Sequence, residues 1–186
     1  GKNMNNNSIV KKDVWSSLKQ HTDARIALGR TGNALPTHEL LKFGMSHALA
    51  KDVIYKALEV EKIQNFLSEN HFDSYIVNSK ATNRKDYLMN PNLGRQLAED
   101  STNDLKNKNI EKKNITIIFA DGLSATAINT NACPLLMEIQ TALIPTSFKL
   151  SPIIIAQQAR VAISDEIGEV LQSQASIIFI GERPGL

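Results

Sequence analysis

The residues able to do chemistry gather in three short turns, each following a run of aliphatic residues. Asp121-Gly122-Leu123-Ser124 offers a carboxylate and a helix N-terminus. Gln157-Gln158-Ala159-Arg160-Val161 offers amides, a cation and free backbone. Gly181-Glu182-Arg183-Pro184-Gly185 holds an acid and a base between glycines and a proline. In open α/β sheets ligands sit beyond the carboxyl ends of the strands. Three such turns therefore outline the rim of one pocket that mixes donors, acceptors and tight backbone. Turn chemistry and capping explain any one of them alone; convergence of all three favours a site.

Complete catalytic sets are missing. There is no G-x-x-x-x-G-K-[ST] phosphate loop, and no G-x-G-x-x-G follows a strand. Ser124 invites a hydrolase reading, but Gly122-Leu123-Ser124-Ala125-Thr126 lacks the second glycine of a nucleophile elbow. No histidine follows Ser124 in this chain either; the four are His21, His38, His47 and His71. On one helix, His38 and His47 would be about 900° apart and so on opposite faces, unable to share a metal. Cys133 lies beside Pro134 in an apolar helical pattern and reads as packing. Asn114-Ile115-Thr116 has the form of a glycosylation acceptor but leads into a buried strand. No catalytic residue and no metal ligand emerge, so the chain reads as a binding scaffold whose chemistry is completed elsewhere.

The elements that must position these turns follow from pattern. Ile115–Ala120, Pro152–Ala156 and Ser176–Ile180 are uninterrupted aliphatic runs, as in parallel strands buried on both faces. Helices fill the gaps at Ser124–Leu143 and Ser164–Gln172, the second with Ser164 as cap and Asp165 and Glu166 in its first turn. Upstream, Ala24–Leu28 is a short apolar run leading into a glycine-rich loop, and Thr37 starts a helix to about Leu58. A helix at Val60–Asn70, a strand at Ser74–Ser79 and a helix from Pro91 to about Lys106 complete the pattern. The expected fold is α/β, a mainly helical N-terminal region followed by a Rossmann-like parallel sheet with flanking helices. Residues 1–23 form a leader and short helix, 24–110 the mainly helical domain and 111–186 the Rossmann-like domain.

The 186 residues are 42% hydrophobic and 22% charged, with a formal net charge of +2, which gives no electrostatic case for nucleic acid. A single cysteine and no apolar run near ~20 residues point to a soluble, intracellular chain without a membrane span.

Several motifs in order resemble the small (light) subunit of ethanolamine ammonia-lyase. They are Ala24–Gly32 with Leu35-Pro36-Thr37, Tyr87-Leu88 with Pro91–Arg95, and Asp121–Ser124. Arg160-Val161 with Asp165–Glu169, and Gly181–Leu186, complete the set. The resemblance implies a subunit of an adenosylcobalamin-dependent lyase that converts ethanolamine to acetaldehyde and ammonia. It implies a large-subunit partner that acts on the substrate, with the corrinoid held between the two. Carried over by residue, the corrinoid contacts are Val161 and Glu182, with Arg160 as an adjunct facing the cofactor tail. Residues 111–186 become the cobalamin-binding domain, and the expected setting is a microcompartment in the bacterial cytoplasm.

Two departures from the family pattern stand out. Ala159 replaces a glycine, which implies a turn that sits differently. The family also continues many tens of residues past Leu186 and includes a cysteine contact that Cys133 does not replace, implying weaker cofactor capture and an open sheet edge. The rival readings are a Rossmann-like nucleotide-binding module without catalysis, and a serine hydrolase built on Ser124.

Overall fold

The computed structural model describes residues 24–29, 39–42 and 55–182. The expected short helix before residue 20, the loop at 30–37, His21, His38, His47 and Arg183–Leu186 lie outside the described residues. The described strands are β1 (Ala24–Gly29), β2 (Glu39–Lys42), β3 (Ser74–Asn78), β4 (Ile115–Ala120), β5 (Ile153–Gln157) and β6 (Ala175–Gly181). The helices are α1 (Val60–Glu69), α2 (Arg84–Met89), α3 (Pro91–Gly94), α4 (Glu99–Asn107), α5 (Thr126–Leu143) and α6 (Ile163–Val170).

All six strands join one sheet in the order β2-β1-β6-β4-β5-β3. β6, β4, β5 and β3 run parallel, and β1 runs antiparallel to both β6 and β2. The sheet thus draws strands from both sides of residue 110. Aliphatic side chains fill both faces of its centre. Ile117 and Phe119 point into a core closed by α1 and α5 with Leu67, Ile128, Leu135 and Leu136. Their neighbours Ile118 and Ala120 point into the opposite core with Leu105, Ile163 and Ile167 of α4 and α6. Every residue of β4 is buried, which explains its unbroken apolar run. Phe119 and Phe179, directly paired across β4 and β6, stack with centroids 5.6 Å apart.

Crossover direction decides where the site lies. The β3-to-β4 and β5-to-β6 connections each skip a strand in one direction, while β4-to-β5 joins neighbours in the other. Right-handed crossovers then put α5 on the face opposite α4 and α6, as the two cores show. β4 and β5 lie side by side, and the chain leaves them toward opposite faces. The crevice beyond their carboxyl ends is the topological switch point.

Three local expectations change. Glu39–Lys42, read as part of a helix from Thr37, is a strand pairing with β1 in the register Leu28↔Glu39 to Arg25↔Lys42. Residues 55–59, the end of that expected helix, are not helical. The expected helix from Pro91 to Lys106 breaks after Gly94, because Ser79 and Leu97 form an antiparallel bridge and Ala98 N–H donates to Asn78 O. Ser164 is not a cap: Ala162 holds that position, and the Ser164 hydroxyl donates back to the Val161 carbonyl at 2.9 Å.

Candidate functional site

Asp121, the first residue after β4, organises the crevice. It is 2% exposed, and its carboxylate accepts the backbone N–H groups of Gln158 at 2.8 Å and Ala159 at 3.0 Å. One side chain therefore clamps the turn after β5 to the end of β4. Burial raises the Asp121 pKa above its ordinary value, and those two N–H groups, the Arg84 charge and the Gly122 N–H partly offset it. Ala159 needs no positive φ in this turn. The left-handed residue of this turn is Gln158 (φ 52°), and Ala159 is fully buried without a positive φ.

The turns after β4 and β6 meet backbone to backbone. Leu123 N–H donates to Gly181 O at 3.0 Å. Gly122 has φ +60°, and a Cβ there would lie 1.9 Å from the Gly181 carbonyl oxygen. Only glycine allows this approach.

A stack of alternating rings and guanidinium groups covers the crevice. Asn83 accepts Asp86 N–H and so caps α2, whose first residue is Arg84. The Arg84 guanidinium lies 3.9 Å from the Tyr55 ring centroid and 4.1 Å from that of Tyr87, and Arg160 lies 4.3 Å from Tyr87. Tyr55, Arg84, Tyr87 and Arg160 thus form one continuous chain of ring–guanidinium contacts. Each contact contributes about 0.5–2 kcal/mol. Arg84 Nη2 also donates to the carbonyls of Gly122 (2.9 Å) and Leu123, and Nη1 to Gln158 Oε1 at 3.4 Å. Arg160 Nη2 donates to Tyr87 O at 2.9 Å, and Arg160 N–H to Gly94 O at 2.8 Å. Burial pushes the Tyr87 phenol up to about 12, with the two arginines pulling the other way and Asp121 and Glu182 adding to the rise.

The sequence-predicted residues take definite places. Val161 is half-buried at the start of the α6 turn and packs against the core under α4 and α6. Glu182 is half-buried directly after β6. Both stand at the carboxyl edge of the sheet, Val161 next to Arg160, which lies on the Tyr87 ring, and Glu182 next to Gly181, whose carbonyl accepts Leu123 N–H. Ser124 is 3% exposed; its hydroxyl accepts Lys56 N–H at 3.4 Å and faces Thr126 Oγ1 at 3.2 Å. His71, the one histidine among the described residues, precedes β3 and so lies at the opposite edge. Arg84 and the role of Tyr87 escaped the sequence reading, although Asn83-x-x-Asp86 is a capping signal that would have placed α2. An open cleft of about 430 Å³ beside the stack is lined by Tyr55, Asn78, Ser79, Thr82, Asp121 and Gln158 among others.

Fold and edge together define a class: a parallel α/β sheet covered on both faces, with a polar cleft at its switch point. Residues 12–186 match the family model described as ethanolamine ammonia-lyase light chain. The chain is 41% identical over 178 residues to the ethanolamine ammonia-lyase small subunit of Pseudomonas aeruginosa (strain LESB58), covering 94% of this chain and 65% of that protein. It is 39% identical to the protein of that name from Xanthomonas campestris pv. campestris (strain B100), with the same coverage. With that from Pseudomonas putida (strain GB-1) it shares 38% over 186 residues, 98% of this chain and 68% of the other. The chain belongs to the ethanolamine ammonia-lyase light chain family, and spans about two thirds of the length of these relatives. Among the described residues no helix is long and apolar enough to cross a membrane.

Proposed function

We propose that this chain acts as part of the small subunit of an adenosylcobalamin-dependent ethanolamine ammonia-lyase, holding the corrinoid against a large subunit. One observation carries the reading. Motifs scattered from Tyr87 to Gly181 are bonded to one another at one sheet edge: Arg160 to Tyr87 and Gly94, Asp121 to the turn before Arg160, Leu123 to Gly181. The donor set suits a corrinoid. Its peripheral carboxamides need neutral hydrogen-bonding partners, which Asn78, Thr82, Gln157 and Gln158 supply around the cleft, and its flat faces need apolar contact, which Val161 can add. The chemistry that adenosylcobalamin supplies when bound is radical generation by homolysis of its cobalt–carbon bond. This chain's residues orient the cofactor and exclude water, Val161 and Glu182 from the two strand ends that flank β4. A microcompartment of the bacterial cytoplasm is the setting that fits this activity.

Co-expression with a large subunit from a relative tests the proposal. A stable hetero-complex that releases acetaldehyde from ethanolamine when adenosylcobalamin is added is expected; no complex and no acetaldehyde would overturn it. Within that complex, Glu182→Ala is expected to raise the cobalamin Kd about tenfold, ~1.4 kcal/mol, with the melting temperature nearly unchanged. Ser124→Ala is expected to keep full turnover, because the hydroxyl serves backbone and Thr126 contacts and, among the described residues, has no histidine at its edge. Loss of turnover in an assembled Ser124→Ala complex would revive the hydrolase-type reading.

A further inference from the structure

We infer that Arg84 is a positioning residue for the site, fixing the turns that carry Val161 and Glu182 in one geometry; this rests on the corrinoid-holding function proposed above. Arg84 contacts neither turn's end residue in the bonds described, yet two short paths lead from it to both. One runs through the Tyr87 ring to Arg160, the residue before Val161. The other runs through Leu123, whose carbonyl accepts from Arg84 and whose N–H donates to the carbonyl of Gly181, the residue before Glu182. A third contact, to Gln158 Oε1, reaches the turn after β5 directly, beside the N–H that Asp121 accepts.

Arginine chemistry is needed for this combination. A planar guanidinium can stack between two rings while its edge donates to two carbonyls and an amide; a lysine ammonium carries the same charge but cannot do both. The arrangement also has a cost. Among the described residues, Nε of Arg84 and Nε of Arg160 are buried without an acceptor, as packing a guanidinium between a ring and backbone turns entails.

The test uses the full chain co-expressed with a large subunit, titrated with hydroxocobalamin by visible absorbance and assayed with adenosylcobalamin. Arg84→Lys is expected to raise the hydroxocobalamin Kd about tenfold, and Arg84→Met further. In both, the KM for ethanolamine and the yield of hetero-complex stay at the parental level. Tyr87→Phe, which keeps a ring between the two guanidinium groups, is expected to retain the parental Kd. An unchanged Kd in both Arg84 variants would overturn the inference. So would a defect seen only as a smaller assembled fraction whose survivors bind normally, the mark of a purely structural role. An equal loss in Tyr87→Phe would assign the effect to general loosening and overturn it too. Failure of the parental complex to bind corrinoid would remove the proposed function and this inference with it, an outcome distinct from normal parental binding with unaffected variants.

Discussion

Gly181→Ala is expected to destabilise the chain by about 3 kcal/mol or more, lowering its melting temperature by roughly 6–12 °C for a domain of this size. The reason is geometric. A Cβ at Gly181 would lie 1.8 Å from the Ser124 carbonyl oxygen and 2.7 Å from that of Asp121, both backbone atoms of the neighbouring turn. Neither can rotate away as a side-chain tip would, so the β4 and β6 ends must separate. Separation breaks the Leu123 N–H bond to Gly181 O and shifts Glu182, the next residue. Gly94→Ala is the informative contrast. Its Cβ would meet Arg160 Cγ at 3.0 Å and Tyr87 Cδ2 at 3.1 Å, side-chain atoms with some freedom, and the nearest backbone atom, Gln158 O, only at 3.3 Å. Thermal melts of the two variants check the difference. A Gly181→Ala chain as stable as Gly94→Ala would mean the two turns are not in contact.

The same turn shows what the amino-acid sequence could and could not disclose. Aliphatic runs such as Ile153–Ala156 announce strands buried on both faces, because only such positions exclude polar side chains without interruption. The three turns after β4, β5 and β6 follow from those strands, and with them Asp121, Val161 and Glu182 at one edge. Short segments were ambiguous. Glu39-Leu40-Leu41-Lys42 fits one turn of an amphipathic helix as well as four residues of strand, and only pairing with β1 decides it. The break after Gly94 was equally hidden, since it depends on Leu97 bridging to Ser79, a partner many residues earlier. Long-range bonds also explain why the stack was missed. Nothing in the local spacing of Tyr55, Arg84, Tyr87 and Arg160 predicts that two arginines will share one ring. That arrangement arises only once α2 is laid across the ends of the parallel strands.

Asp121→Ala is expected to cost about 2–6 kcal/mol, since the part-buried N–H of Gln158 and the buried N–H of Ala159 lose their acceptor at once and each such loss costs about 1–3 kcal/mol. Asp121→Asn should cost less, because its oxygen can still serve one N–H while its amide nitrogen faces the other. The comparison between aspartate and asparagine carries a pH signature. Burial holds the Asp121 pKa above 3.8, so its protonated form is favoured more in the folded chain than in the unfolded one. The stability linked to this titration is fully present below the unfolded value and is lost as pH rises through the folded one. The margin of the parental chain over Asp121→Asn is therefore expected to be widest in acid and to narrow as pH rises through the carboxylate range. Denaturant titrations of both proteins across that range measure it. A margin that widened with pH would mean that the N–H groups and the Arg84 charge outweigh burial, and that the ionised carboxylate is the form held at the switch point.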